Sequence, residues 1–155
     1  MDLLLWRHAE AWDASDEQPH DLLRPLTPRG TKQAQRMAKW LDQHMPEGVR
    51  ILCSPAVRCE STAAALQRKY KICTELAPTS TAQALLDLAN WPDARTPVLM
   101  VGHQPILGQV ISHVLGMPEH SLSVRKGAVW WLRHRTRMDA PSTLVHCVQS
   151  PDMLW

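Results

Sequence analysis

Met1-Asp2-Leu3-Leu4-Leu5-Trp6-Arg7-His8-Ala9-Glu10-Ala11 opens the chain. Leu3, Leu4, Leu5 and Trp6 are too few for a buried helix and show no polar alternation, which predicts a strand covered on both faces in an α/β sheet. Such a strand releases Arg7 and His8 at its carboxyl end, where open α/β sheets place their ligands. An arginine there offers a charged donor fork matched to phosphate oxygens, and a neutral imidazole beside it can act as a nucleophile. The dipeptide alone leaves a structural histidine at a strand end as the commoner alternative.

Working outward, residues 10–24 are polar, without sustained period, and read as a loop. Thr27-Pro28 is an N-cap followed by proline at the first helical position, and a helix is predicted from there to about His44, burying Ala34, Met37, Ala38 and Leu41. Residues 49–53 form a second short apolar strand. Ser54-Pro55 repeats the start signal for a helix running to about Lys69. A weaker strand over 72–76 and a helix from Thr81 to about Asn90, capped by Thr79 or Ser80 and packing Leu85, Leu86 and Leu88, come next. Residues 98–101 make the clearest buried strand, delivering Gly102-His103-Gln104-Pro105 before a helix from Ile106 to Leu115. Two strands, about 128–133 and 143–149, joined by a basic turn, close the chain.

At 155 residues the chain is expected to be a single domain over 1–155, with a core that needs no disulfide or metal. A formal charge of +2 is too small for nucleic-acid binding as the main activity. Cys53, Cys59, Cys73 and Cys147 form no Cys-x-x-Cys pair or metal-ligand spacing, and no signal-peptide pattern opens the sequence, so a reducing, cytoplasmic location is expected. No apolar run approaches the length of a membrane span. Trp, Leu and Met are expected to fill the core, because Phe is absent.

Three strand-to-helix junctions recur: Arg7-His8, Ser54-Pro55 leading to Arg58, and Gly102-His103. In an α/β sheet such junctions share one edge. Two histidines and two or three arginines meeting there make a pocket for a dianionic phosphoryl group.

The ordered motifs Arg7-His8-Ala9-Glu10-Ala11, Arg24-Pro25-Leu26-Thr27, Ser54-Pro55-Ala56-Val57-Arg58-Cys59-Glu60-Ser61-Thr62-Ala63 and Gly102-His103-Gln104-Pro105 resemble the histidine phosphatase superfamily, within it the SixA-like protein phosphohistidine phosphatases. The resemblance covers nearly the whole chain. It implies a three-layer α/β/α fold with a mainly parallel central sheet, as in phosphoglycerate mutase-like proteins. It further implies that His8 is the phosphorylated nucleophile, that Arg7, Arg58 and His103 bind the phosphoryl oxygens, and that Arg24 is a further phosphate ligand. No metal or other cofactor is implied. The partner implied is a histidine-phosphorylated protein, a histidine phosphotransfer domain or phosphocarrier, met by a monomer. Ala9 departs from the glycine usual in the superfamily, adding a methyl near the phosphate, and is a familiar variant in the SixA-like group.

Neutral His8 must present one ring nitrogen to phosphorus while the other donates to a fixed acceptor, for which a backbone carbonyl is the candidate. Superfamily members acting on esters resemble one another in supplying a carboxylic acid from mid-chain to protonate the leaving oxygen. Here residues 76–83 carry no carboxylate, with Glu75 and Asp87 only flanking them. An imidazole leaving group, with a pKa of about 6.5, needs less help. Phosphohistidine is therefore favoured over a sugar or glycerate phosphate, unless Glu10 or Asp13 serves as the acid. The rivals are a small-molecule phosphomonoesterase and a non-catalytic phosphohistidine-binding adaptor.

His20, His44, His113, His120, His134 and His146 match no motif and read as surface or packing residues, His113 as a core histidine. Arg133-His134-Arg135-Thr136-Arg137 reads as a solvated turn. Trp130 and Trp131 are expected to split between the two faces of a strand. Ser54 reads as a helix cap, and the cysteines as small apolar side chains.

Overall fold

A computed structural model describes residues 1–17, 19–118 and 122–154, so that His120 lies outside the described residues. These build one six-stranded sheet in the order β3-β2-β4-β1-β5-β6. The strands are β1 (Asp2–Arg7), β2 (Arg50–Cys53), β3 (Lys71–Ile72), β4 (Val98–Gly102), β5 (Val129–Arg137) and β6 (Ala140–Gln149). β1, β2, β3 and β4 pair in parallel, and β5 and β6 extend the sheet antiparallel.

The apolar run at the start of the chain lies between β4 and β5, covered on both faces as expected. Its period of two divides it: Leu3 and Leu5 pack with Leu85, Leu86, Leu107 and Ile111, while Leu4 and Trp6 pack with Met37, Leu41, Cys59 and Ala63. Helices α1 (Pro28–His44) and α2 (Val57–Ala64) therefore cover one face, and α3 (Ala82–Ala89) and α4 (Ile106–Leu115) the other. Trp131 joins the first of these layers and Trp130 packs against the second, the split that alternation predicts. Trp6 is fully buried and its Nε1 donates to the Gly127 carbonyl at 2.9 Å, so its burial leaves no polar atom unpaired.

Helix α1 begins as its sequence dictates, with Thr27 accepting from the Gly30 amide at 2.9 Å and Pro28 in the first turn. Other boundaries move. Helix α2 starts at Val57 and ends at Ala64, short of Lys69, because Gln67 adopts a left-handed conformation (φ 55°) and Leu66 turns into the core. The strand expected over 72–76 is two residues of β3 followed by a 3-10 turn, Thr74–Leu76, which buries Leu76 beneath the sheet. Thr81, not Thr79 or Ser80, caps α3. The charge run from Arg133 to Arg137 is strand, not turn: β5 and β6 are a long hairpin whose reversal falls at Met138 and Asp139, both at positive φ. His113 is exposed, because the buried stripe of α4 (Ile106, Leu107, Val110, Ile111) runs along the other side. No helix of the described residues is long and apolar enough to cross a membrane.

Candidate active site

Parallel pairing fixes which residues meet. Arg7 is registered with Gly102, and Cys53 with Val101, so the chain leaves β1, β2 and β4 at one edge of the sheet. The His8 amide donates to the Gly102 carbonyl at 3.1 Å and the Ser54 amide to the Val101 carbonyl at 3.0 Å, carrying the register one residue past each strand. His103 emerges from the strand between them. The three junctions converge as their shared edge predicts, and His8, Arg7, Arg24, Arg58 and His103 all line one cavity of about 330 Å³. Ala11, Asp13, Asp21, Pro78, Gln104 and Lys126 complete its lining.

His8 is 7% exposed and its Nδ1 lies 2.7 Å from the Ala9 carbonyl oxygen. A carbonyl only accepts, so Nδ1 carries the hydrogen and Nε2 holds the lone pair. Burial lowers the imidazole pKa to about 4, opposed by the bond to Ala9 and reinforced by the positive charges of Arg58, Arg7 and Arg24. The ring is neutral at pH 7, the form a nucleophile requires. Ala9 is itself buried, its amide donating to Thr62 Oγ1 at 3.1 Å, and its φ is not positive, so this backbone does not need a glycine.

Arg58 is almost wholly buried. Its Nη1 donates to the Asp21 carbonyl oxygen at 2.7 Å, and its Nη2 reaches Asp21 Oδ2 at 3.1 Å and His103 Nδ1 at 3.2 Å. An arginine has no lone pair to offer, so His103 Nδ1 accepts and its proton is on Nε2, which donates to Ser54 Oγ at 2.7 Å. Burial lowers the His103 pKa to about 3, with Arg58 adding to the effect. Arg7 donates from Nη1 to the Val124 carbonyl at 2.8 Å. The Nε atoms of Arg7 and Arg58 are buried without a protein partner, and unpaired donors in a folded interior tend to mark functional places.

The loop that follows His8 is fastened to the start of α1. The Thr27 amide donates to the Glu10 carbonyl at 3.0 Å, and the Thr27 hydroxyl to the Glu10 carboxylate at 2.7 Å. The Trp12 amide pairs with the Pro25 carbonyl at 3.0 Å. This clamp presents Arg24, whose Nη1 donates to the Trp12 carbonyl at 2.6 Å and whose Nε donates to Asp21 at 3.0 Å. Glu10, one of the two candidate acids, thus faces Thr27 and does not line the cavity, whereas Asp13 does. From residues 76–83 only Pro78 reaches it.

Sequence reading missed Ser54, Thr62, Asp21 and Lys126. Ser54 does not cap α2, whose N-cap is Ala56 without a side-chain cap bond; its hydroxyl accepts from the Ala56 amide at 3.2 Å, ahead of the helix, and its second bond, to His103, is long-range and has no local signal. Asp21 could have been found from its spacing of three residues before Arg24. Among the described residues, no group of three or more His, Cys, Asp or Glu is placed to hold a metal ion.

Comparison with known proteins gives the family and the fold. The sequence profile of the histidine phosphatase superfamily (branch 1) matches residues 3–81. The phosphohistidine phosphatase SixA homolog of Haemophilus influenzae is 30% identical over 131 residues, covering 75% of this chain and 78% of that protein. The phosphohistidine phosphatase SixA of Escherichia coli is 28% identical over 124 residues, 74% of each chain. A solved structure of the protein histidine phosphatase SixA complexed with tungstate superposes with a TM-score of 0.75 at 24% identity, covering 99% of both chains.

Proposed function

The chain belongs to the histidine phosphatase superfamily, and we propose that within it this protein removes phosphate from phosphohistidine on a partner protein, through a phosphohistidine intermediate on His8. The observation that carries this reading is the bond from His8 Nδ1 to the Ala9 carbonyl, which leaves the Nε2 lone pair of a neutral ring in a cavity lined by three arginines. The SixA names of its relatives support the substrate class.

His8 Nε2 attacks phosphorus in line. The new P–N bond forms as the P–N bond to the substrate imidazole breaks, and the departing ring leaves with its electron pair and takes a proton. Water then attacks the phosphorus on His8, releasing orthophosphate and restoring the neutral ring. Negative charge spreads over the equatorial oxygens in both steps, and Arg7, Arg58 and Arg24 stabilise it without reorganising at the moment of reaction. His103 takes part through Nδ1. A dianion in the cavity raises the affinity of that nitrogen for a solvent proton, and the imidazolium then donates to an equatorial oxygen.

The absence of a mid-chain acid at the cavity suits an imidazole leaving group, since Pro78 is what residues 76–83 place there. One observation favours a second reading, hydrolysis of small phosphate esters: Asp13 lines the cavity with a carboxyl group that no arginine among the described residues holds, the group type an ester's leaving oxygen needs. The deciding experiment measures phosphate release by wild type, His8→Ala and Asp13→Asn from a histidine-phosphorylated phosphotransfer domain and from a panel of small esters. Fast loss from the protein substrate that needs His8 and not Asp13 is the expected result. Faster ester turnover that falls with Asp13→Asn moves the protein to the second class. Binding of the phosphorylated domain without turnover makes it an adaptor.

A further inference from the structure

The arginines of the cavity already hold an anion that belongs to the protein. Asp21 Oδ1 accepts from Arg24 Nε at 3.0 Å and Oδ2 from Arg58 Nη2 at 3.1 Å, while its backbone carbonyl accepts from Arg58 Nη1 at 2.7 Å. One residue thus takes up both terminal nitrogens of Arg58. The partners are unequal. The Arg58 side chain is 4% exposed and rooted in α2, whereas that of Asp21 is 52% exposed. Asp21 also sits on a 3-10 turn, Asp21–Leu23, that buries none of its residues. In such a pair the guanidinium is fixed and the carboxylate is the group free to leave. Burial works against ionisation of Asp21, but its bonds to Arg58 and Arg24 prevail and hold its carboxyl below the ordinary carboxylate range, so it is charged wherever phosphate binding matters.

A phosphoryl group reaching Arg58 and Arg24 needs the donors that Asp21 now uses. We propose that Asp21 is an internal counter-anion of the phosphate cradle: it holds Arg58 and Arg24 towards the cavity, is displaced by an incoming phosphoryl group, and thereby sets how weakly the site holds phosphate anions. This rests on reading the cavity as the phosphoryl site. Four cations, Arg7, Arg24, Arg58 and Lys126, line that cavity, and without opposing charge they would retain orthophosphate, the product. Asp21 opposes this by direct competition for donors. Asp13 carries the same charge on the same lining, but the bonds of Arg24 and Arg58 go to Asp21, Trp12 and His103 and not to it.

The test titrates inorganic orthophosphate into wild type, Asp21→Asn, Asp21→Ala and Asp13→Asn by calorimetry, at one pH and ionic strength. Both Asp21 variants are expected to bind orthophosphate about fivefold more tightly, the scale of one partly exposed ion pair. Asp13→Asn is expected to change affinity less than about twofold, the effect of a screened charge. Unchanged, weaker or undetectable orthophosphate binding in the Asp21 variants overturns the proposal. Equal tightening by Asp13→Asn also overturns it, because the effect would then be net charge and not competition. Failure of the phosphatase reading shows separately, as no turnover of the phosphorylated domain or as turnover that does not depend on His8.

Discussion

Ser54 Oγ lies 2.7 Å from His103 Nε2, on the side of the ring opposite the nitrogen that accepts from Arg58. Ser54 is fully buried, and its hydroxyl accepts the Nε2 hydrogen of the tautomer that Arg58 fixes by donating to Nδ1. Ser54→Ala is expected to leave the Nε2 hydrogen only the weak acceptor Cys59 Sγ, 3.4 Å away, costing about 1–3 kcal/mol of stability. The rate is expected to fall about tenfold or more, as for loss of other electrostatic donors. Nitrogen NMR of the His103 ring separates this role from simple packing: a variant that keeps the wild-type tautomer and rate contradicts it.

Acid stability follows from the two buried imidazoles. Burial lowers His8 to about 4 and His103 to about 3, whereas the unfolded chain titrates near 6.5. The unfolded state therefore binds protons first as pH falls. Stability is fully present above about pH 6.5 and is lost progressively towards pH 4 and 3. One such histidine accounts for about 2 kcal/mol between pH 6.5 and 5. Asp21, held below the ordinary carboxylate value of 3.8, adds its loss only once the pH has fallen past that value, at the acid end of the window. Urea unfolding at pH 7, 6 and 5 measures the slope, which is expected to be shallower in His103→Asn. A flat wild-type profile contradicts the burial of both rings as neutral species.

Gly30 is the position where α1 touches the segment leaving His8. A Cβ there would stand 1.9 Å from the Glu10 carbonyl oxygen, a backbone atom with no room to yield. That carbonyl accepts from the Thr27 amide, so a displacement loosens the clamp that presents Arg24. Gly30→Ala is expected to lose about 2 kcal/mol or more despite the better helix propensity of alanine. Thermal melting together with turnover checks it, and an unchanged melting temperature contradicts the close approach.

What could be read from residues alone depended on how local the cause was. Leu3 to Trp6 declare a strand because four apolar residues without alternation need cover on both sides, and Thr27-Pro28 declares a helix start within three residues. The convergence of His8, Arg58 and His103 was legible because parallel strands share an edge. The reversal at Met138-Asp139 was not, since neither residue is glycine or asparagine and the charged residues before it resemble a turn. The second bond of Ser54 and the hold of Asp21 on Arg58 span 49 and 37 residues, and sequence spacing carries no information about contacts made only by tertiary packing.

Thr62 ties the two halves of the candidate site together through one hydroxyl. Its Oγ1 accepts from the Ala9 amide at 3.1 Å and donates to the Arg58 carbonyl at 2.7 Å, in a fully buried position on α2. Ala9 is the residue whose carbonyl orients His8, so movement of its backbone tilts the nucleophile. Thr62→Val keeps the shape and removes the acceptor, leaving a buried amide unpaired at about 1–3 kcal/mol. Turnover is expected to fall with it, whereas Thr62→Ser keeps the hydroxyl, sacrifices a methyl, and is expected to retain the wild-type rate at reduced melting temperature. If the serine variant loses activity as fully as the valine one, packing of the methyl, and not the bond to Ala9, is what positions His8.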